Sequence, residues 1–320
     1  MTPELAAVIV NYNAGPELRV ALQSIASEMA RFVVTEPRAG LASVTEPRPG
    51  LDAERAGRSW EAIVVDNVST DGSSDYVWEF APQARVLRNA VNVGFGRGIN
   101  QGVAASSAPF ILIMNPDCRL EPGALMTMRA ELETRPRCAI VGPRVLDPDG
   151  SEQGSARGDP DMLTGLFGRT GPLRFLFPWA PAARRNVVNT GRQSATVDWV
   201  SGACMLVRRA AFDEVSGFDA RYFLYWEDAD LCRRLRAGGY EIRYVPSATA
   251  VHQVGQSSRT ARAASIKAFH ESAYIYYATH VAPGPLNPKR AIARVLLAAR
   301  CWWRLRSVPS ERGGGAEART

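Results

Sequence analysis

Apolar runs of strand length alternate with segments of helical spacing through most of this chain. Residues 5–10 are continuously apolar, and beyond a polar turn Leu18, Leu22, Ile25 and Met29 recur at the three- and four-residue steps of a helix over 17–29. A second strand is predicted at 61–65, then a turn rich in Asn, Ser, Asp and Gly at 66–74 and a short helix ending near Phe80. A strand at 85–88, a helix over 96–106 and the strongly apolar strand 110–114 follow. Farther on, 197–207 reads as a strand pair, 227–237 as a helix closed by Gly238 and Gly239, and 240–245 as a strand. Strands alternating with helices predict an α/β fold with a largely parallel sheet, whose ligand lies beyond the strand C-termini.

Three stretches depart from that alternation. TEPRAGL at 35–41 recurs as TEPRPGL at 45–51, a local duplication whose Pro, Gly and charges suit neither helix nor strand. It is expected to be a surface insertion over 33–58, since two copies are too few for a solenoid. Residues 144–194, rich in Gly, Pro and Arg, give no regular pattern. Residues 261–306 read as helical apart from a break at Pro283, Pro285 and Pro288, and 307–320 as a disordered tail. On a helix at ~100° per residue, Arg290, Arg294, Arg300 and Arg304 share one arc, opposite Ile292, Val295, Leu296, Ala299, Trp302 and Trp303. Arg306 and Leu297 break the division. Such a helix can lie in an anionic membrane interface or pack on the protein itself. The expected organisation is a main domain over 1–260, a helical, possible membrane-associating region over 261–306 and the tail.

At 320 residues, 46% hydrophobic and 22% charged, the chain can bury one large core or two modest ones, which excludes collagenous, mucin-like and wholly disordered classes. The net charge of +6 suits a nucleic acid, an anionic membrane or a phosphate-bearing substrate, and much of it sits at the C-terminal end. The five cysteines form neither a CxxC pair nor a zinc-spaced cluster, which argues against a disulfide framework and fits a reducing cytoplasm. The first residues, MTPELAAVIVNYN, lack a basic region and a cleavage site and read as a strand, not a secretory signal. Residues 292–303, interrupted by Arg294 and Arg300, fall short of the ~20 residues that span a bilayer.

Candidate chemistry gathers at strand ends. Asp66 closes an Ile-Val-Val run and opens a turn of Asn67, Ser69, Thr70, Asp71, Gly72 and Ser73. A carboxylate there can accept from a base edge or a ribose, although Asx turns and helix caps use the same residues. Gly94, Gly96 and Gly98 lie where a helix opens in NVGFGRGINQG (92–102), so backbone amides could cradle phosphate and Arg97 could meet a diphosphate. The dinucleotide spacing lacks its third glycine and does not follow the first strand, which excludes a nicotinamide site. Asp117 follows strand 110–114 through Asn115 and Pro116, where one carboxylate plus substrate phosphate oxygens suffices for Mg²⁺. Glu227, Asp228 and Asp230 begin a helix, where they either complement its dipole or supply a general base. His252, one of three histidines, follows a strand and is open to a structural or a ligand role.

With VIVNYN (8–13), VVDNVSTDGS (64–73), NVGFGRGINQG (92–102), MNPD (114–117), SGACMLVRR (201–209) and GFDARYFLYWEDADLCRRLRAGGY (217–240) in that order, and His252 beyond, residues 5–280 resemble the family 2 glycosyltransferases. Within them the likeness is to the rhamnosyltransferase-like branch of bacterial surface-polysaccharide synthesis. The resemblance implies a GT-A fold, a Rossmann-like, mostly parallel mixed sheet flanked by helices, with a C-terminal helical extension. It implies that Asp66 recognises a pyrimidine base against the backbone around Asn11 and Tyr12. It further implies substrate contacts at Asn67, Gly94, Arg97, Asn100, Asn115 and Glu227, with Asn115 replacing the first aspartate of the usual metal motif. Asp117 and His252 would meet Mg²⁺ or Mn²⁺, and Asp228 would be the catalytic base. The implied reaction is an inverting transfer from dTDP-L-rhamnose, or alternatively a UDP-hexose, to a polyprenyl-diphosphate-linked saccharide. It would occur at the cytoplasmic face of the plasma membrane, in cell-wall or surface polysaccharide synthesis, with no nucleic-acid partner. A nucleotidyltransferase would instead place basic, Gly-rich residues directly after the first strand, and VNYNAGPEL offers no Arg or Lys before Arg19. A non-catalytic sugar-binding protein would tolerate the loss of Asp117 or Asp228, and both are present.

Overall fold

The computed structural model describes residues 3–34, 60–82, 84–159, 193–253 and 262–307. The duplication at 35–51, most of the 144–194 stretch and the tail after 307 lie outside the described residues. Strands β1 (Leu5–Asn11), β2 (Trp60–Asp66), β3 (Arg85–Arg88) and β4 (Phe110–Met114) run parallel in the order β3-β2-β1-β4. All seven residues of β1 are buried because β1 has a neighbour on each edge and helices on both faces, which is why it reads as a continuous apolar run. After β5 (Cys118–Leu120), β6 (Cys138–Leu146), β7 (Ala156–Arg157), β8 (Ala195–Thr196), β9 (Trp199–Val200), β10 (Cys204–Arg208) and β11 (Glu241–His252), the sheet continues as β4-β10-β6-β11-β5. Here β10 is antiparallel to both neighbours, β11 is parallel to β6, and β5 is antiparallel to β11. The result is the mixed α/β sheet of the GT-A fold.

The two faces carry separate cores. Leu5, Ile9 and Val64 pack with Leu18, Leu22, Ile25 and Met29 of α1 (Glu17–Val34), the helix its spacing predicts. The helical turn α2 (Val77–Phe80) also belongs to this side through Val77. Val8, Val10, Ile63 and Val65 pack with Ile99 and Val103 of α3 (Phe95–Ala104). Glycines of the 92–102 motif serve this second contact: a Cβ on Gly102 would lie 2.3 Å from a Val8 methyl, and one on Gly98 2.8 Å from Val10. Close approach of helix to strand therefore accounts for Gly98 and Gly102, while Gly94 and Gly96 abut Phe223 and Phe218. Helix α4 (Ala124–Thr134) joins the first face, and α5 (Arg209–Glu214) and α6 (Glu227–Ala237) the second.

Two strands exceed what their sequences suggest. β6 was not anticipated; it runs through Pro143, which lies beyond the residues that pair with β10, where no amide is needed. β11 was expected to stop at residue 245, before Pro246; it continues through an irregularity between Val245 and Thr249 and reaches His252.

Beyond the sheet, α7 (Arg262–Tyr276) runs into a π turn (Tyr277–Val281), and α8 (Pro288–Arg306) packs back on α7. Asn287 caps α8 by accepting from Lys289 N at 3.1 Å, with Pro288 at the first helical position. The covered side of α8 is Ala293, buried, with Arg290, Leu297, Arg300 and Cys301 partly covered; Arg300 is held below its usual pKa by burial, and the exposed Arg294 lays its guanidinium 5.4 Å from the Tyr274 ring. Its apolar arc faces out, leaving Val295 68%, Trp303 65% and Trp302 56% exposed. No helix among the described residues is long and apolar enough to cross a membrane.

Candidate active site

The C-terminal ends of β1, β2 and β4 lie along one edge, and the candidate residues of the first half collect there. Asn11 and Asp66 are register partners at the ends of β1 and β2, both buried. Asn11 Nδ2 is within hydrogen-bonding distance of Asp66 Oδ1 (3.1 Å), Ser69 Oγ (3.0 Å) and Ser73 Oγ (2.8 Å). The turn after Asp66 is stitched to the loop after β1: Thr70 N donates to Asn13 Oδ1 (2.7 Å), and Gly15 N to Asp71 Oδ2 (2.7 Å). Asp71 is held below its usual pKa: its hydrogen bonds from Ser73 and Gly15 outweigh the desolvation that is the largest single influence, and which raises it. Arg88 closes the rim, donating to Ser74 and Asp75, with its Nη1 3.9 Å from Asp66 Oδ2. Asn11 Oδ1 is buried and has no hydrogen-bond partner among the described residues, an acceptor left for an incoming donor. Tyr12 is half-buried beside it.

Asn67 Nδ2 donates to the Gly94 carbonyl (3.1 Å), which carries the pocket to the start of α3. Gly94 has φ 87°, and a Cβ there would lie 2.3 Å from the Phe223 carbonyl oxygen, so only glycine fits. That carbonyl accepts from Phe95 N (2.9 Å), so this first amide of α3 is already engaged. Arg97 and Asn100 turn toward the same segment. Arg97 Nε donates to the Ala220 carbonyl (2.8 Å), while Asn100 both donates to Phe218 O (2.8 Å) and accepts from Phe218 N (2.9 Å). In this structure both side chains hold the 217–223 segment in place.

Asn115, Asp117 and His252 converge because Cys118 pairs with His252 across β5 and β11. His252 Nε2 lies 3.2 Å from Asp117 Oδ1 and 3.2 Å from Asn115 Nδ2. Gln153 sets the ring: its amide nitrogen donates to His252 O (2.7 Å) and Asp147 Oδ1 (2.8 Å), which turns its Oε1 to His252 Nδ1 (2.9 Å). Nδ1 then carries a hydrogen, and Nε2 is the ring nitrogen that faces the carboxylate. Two lone-pair donors this close repel unless a cation or proton lies between them. The pair thus fits a divalent ion, with the remaining positions open to phosphate oxygens. Among the described residues no group of three or more His, Cys, Asp or Glu forms a complete metal cage. Gln153 escaped the sequence reading because it lies in the irregular stretch, 99 residues from its histidine.

A short hydrogen-bonded path joins this centre to the carboxylates of α6. Asn115 N donates to Ala203 O (2.9 Å), and the neighbouring Gly202 N donates to Asp228 Oδ2 (2.9 Å). Helix α6 begins without a side-chain cap after two left-handed residues, Tyr225 (φ 69°) and Trp226 (φ 70°), a conformation costing about 1–2 kcal/mol per residue. The adjacent carboxyls are distinguished by their surroundings. Burial, then the neighbouring charge of Asp228, pushes the Glu227 carboxyl up to about 8, and its Oε2 is buried with no partner among the described residues. Burial also raises Asp228, but amides of Gly202 and Ala229 and the charge of Arg157 counter it. Asp228 is thus the carboxyl with the Gly202 and Ala229 amides and Arg157 to favour its charged form, while Glu227 has its Oε2 unmatched.

A GT-A glycosyltransferase is the class that this sheet and this edge define. The chain belongs to glycosyl transferase family 2: the family model matches residues 6–216. It is 33% identical over 319 residues to the N-acetylglucosaminyl-diphospho-decaprenol L-rhamnosyltransferase of Mycobacterium tuberculosis H37Rv, covering 96% of this chain and 94% of that protein. A 64-residue segment, 20% of this chain and 24% of the relative, is 47% identical to the rhamnosyltransferase WbbL of Escherichia coli K12. Among solved structures, a mannosyltransferase of Pyrobaculum calidifontis in complex with GDP-Man and Mn²⁺ superposes with TM-score 0.53 at 16% identity, over 96% of this chain and 73% of that one. A GalNAc-T7 structure with UDP, GalNAc and Mn²⁺ superposes at 0.54 and 16% identity, over 93% of this chain and 55% of that one.

Proposed function

We propose that this enzyme is an inverting L-rhamnosyltransferase that transfers from dTDP-L-rhamnose to a polyprenyl-diphosphate-linked saccharide in cell-wall or surface polysaccharide synthesis. The carrying observation is the Asp66 pocket at the ends of β1 and β2, next to strand β4, whose following turn brings Asp117 against His252 and is hydrogen-bonded through to Asp228, in a chain alike over 96% of its length to a decaprenol-linked rhamnosyltransferase. Asp66 and the unpartnered Asn11 Oδ1 supply acceptors for the imide and hydroxyl hydrogens of a pyrimidine nucleoside. Asp117 and His252 would hold a divalent cation, Mg²⁺ or Mn²⁺, which when bound offsets the charge of the departing diphosphate. Asp228 takes the proton of the acceptor hydroxyl as that oxygen attacks the anomeric carbon, in line with the leaving diphosphate, so configuration inverts. Protonated Glu227 offers a hydrogen-bond donor beside it.

Competition among dTDP-L-rhamnose, UDP-glucose, UDP-galactose and UDP-N-acetylglucosamine, with native membranes as acceptor, tests the donor. Rhamnose transfer is expected, abolished by EDTA and restored by Mg²⁺ or Mn²⁺; transfer only from a UDP-hexose refutes the donor, and full activity in excess EDTA refutes the cation.

The lipid-linked acceptor is supported by α8. The outward arc of Ile292, Val295, Leu296, Trp302 and Trp303 is an apolar face in water, on a helix with six basic residues and no acidic one. Such a face suits the headgroup boundary of an anionic leaflet at the cytoplasmic side, each side chain contributing about 1.5–3 kcal/mol if fully buried. The variant Trp302→Ser/Trp303→Ser should lose flotation with phosphatidylglycerol liposomes while remaining folded; unchanged flotation removes α8 from the membrane reading.

A further inference from the structure

The strained segment ahead of α6 is held by residues that lie beyond the family match at 6–216. A left-handed non-glycine pair persists only where its surroundings over-determine it. Around Tyr225 and Trp226 those surroundings come from α7: Ser272 Oγ donates to the Leu224 carbonyl (3.0 Å), and the Phe269 ring meets Tyr225 edge-on at 5.8 Å. The Trp226 indole lies against Phe269 (5.8 Å) and Tyr276 (5.3 Å). One turn into α6 stands Asp230, fully buried and unused by the proposed chemistry. Its Oδ1 faces His280 Nε2 at 2.6 Å and the Tyr222 hydroxyl at 3.4 Å, and its Oδ2 accepts from Arg234 Nε at 2.7 Å. Arg233 returns the contact, donating to the Tyr276 hydroxyl (3.3 Å) and the His280 carbonyl (3.1 Å).

The π turn gives His280 this reach. Ala282 N donates to Tyr277 O across five residues (2.9 Å), so the turn carries one residue more than an α turn and re-aims the side chains that follow Tyr276. Because α6 has no side-chain cap, its first turn takes its orientation from outside, and the His280–Asp230 contact is the deeply buried part of that support. Asp228 and Asp230 share the turn, so a rotation that loosened one would swing the other away from Gly202 N. We infer that His280 is a positioning residue for transfer, fixing through Asp230 the first turn of α6 and hence the direction of the Asp228 carboxylate. The C-terminal helical region thereby becomes part of the catalytic apparatus as well as a candidate lipid contact. This rests on the reading of Asp228 as base.

The test uses the full chain and the variants His280→Ala, His280→Gln and His280→Asn, with kcat and donor KM measured on the native membrane acceptor and nucleoside-diphosphate binding by calorimetry. A misplacement of the base near 1 Å should lower kcat of His280→Ala about 10–100-fold, with donor KM and nucleotide affinity within about twofold. Amide exchange over 225–231 should quicken about tenfold or more while that of β1 and β2 stays unchanged. His280→Gln, whose amide nitrogen reaches the place of Nε2, should recover most of kcat, and the shorter His280→Asn should not. An unchanged kcat in His280→Ala overturns the inference, as does a loss of kcat accompanied by equal loss of nucleotide affinity and uniform exchange. If His280→Ala fails to fold, equal kcat in the Gln and Asn variants overturns it. Activity surviving in Asp228→Asn fails the base assignment instead, while exchange over 225–231 still reports on the His280 contact.

Discussion

Asp66, proposed to meet the nucleotide, and Asp228, proposed to meet the acceptor, are held in opposite ways. Asp66 is tied into a side-chain network with Asn11, Ser69 and Ser73, on backbone set by parallel pairing. Asp228 follows a left-handed pair of large aromatic residues and shares its burial with Glu227, whose Oε2 has no partner among the described residues. A recognition pocket gains from groups satisfied before the ligand arrives, since less ordering is then needed on binding. A general base gains from desolvation, which raises its proton affinity toward the working pH. Left-handed residues occur on both sides, at Asn13 and Val68 as at Tyr225 and Trp226, but only the Asp228 side draws its support from beyond the family match.

The largest expected effect is on Asp228. Asp228→Asn should lower transfer by about 10²–10⁴-fold with donor affinity preserved, because the base acts only in the transition state. Single-turnover kinetics beside nucleotide calorimetry separate the two; a crippled Glu227→Gln with an active Asp228→Asn would exchange the roles of the carboxyls. Next in size, Asp66→Ala should weaken nucleotide binding about 10–100-fold, the value of a hydrogen bond to a charged group, and leave kcat at saturation nearly intact. Loss of kcat alone would erase the division between the halves.

The smallest effect concerns stability. The folded-state pKa of Glu227, about 8, lies above the unfolded value of 4.5, so the native state favours its protonated form. That advantage is complete below about pH 4.5 and is lost as pH rises through about 8. Glu227→Gln has no proton to lose, so it should gain stability over the native enzyme progressively across this window, on the order of 1–3 kcal/mol at the top. Denaturant midpoints at pH 5, 6.5 and 8 measure it, and a difference independent of pH would show that Glu227 is not protonated in the fold.

Much of the nucleotide half was readable because its cause is local. A buried parallel strand must be apolar throughout, and the Asn and Asp that end β1 and β2 break the run where the ligand edge begins. The 92–102 glycines were readable as important but not as to reason, since the close packing of Gly98 on Val10 and Gly102 on Val8 leaves the same mark in a sequence as phosphate binding. What could not be read was long-range. Gln153 orients His252 across 99 residues, Gly202 meets Asp228 across 26 and His280 meets Asp230 across 50, with no periodicity to announce them. β6 showed no pattern of its own, and β11 outran its predicted end at 245 because it bends through an irregularity past Pro246. The two arcs of α8 were visible on a helical wheel, but which side met the protein was not.

The pairing of Asn11 with Asp66 also makes nucleotide affinity a report on how the chain was assembled. Side chains alternate between the faces of a strand, so a one-residue slip of β2 against β1 would send the carboxylate from the α1 side of the sheet to the α3 side. A chain misaligned in this way could keep nearly the same helix and strand content and be invisible to circular dichroism. It could not keep the Asn11–Asp66 contact. Nucleotide present during refolding would then stabilise only correctly aligned molecules, by mass action, and act for this enzyme as a proofreading ligand.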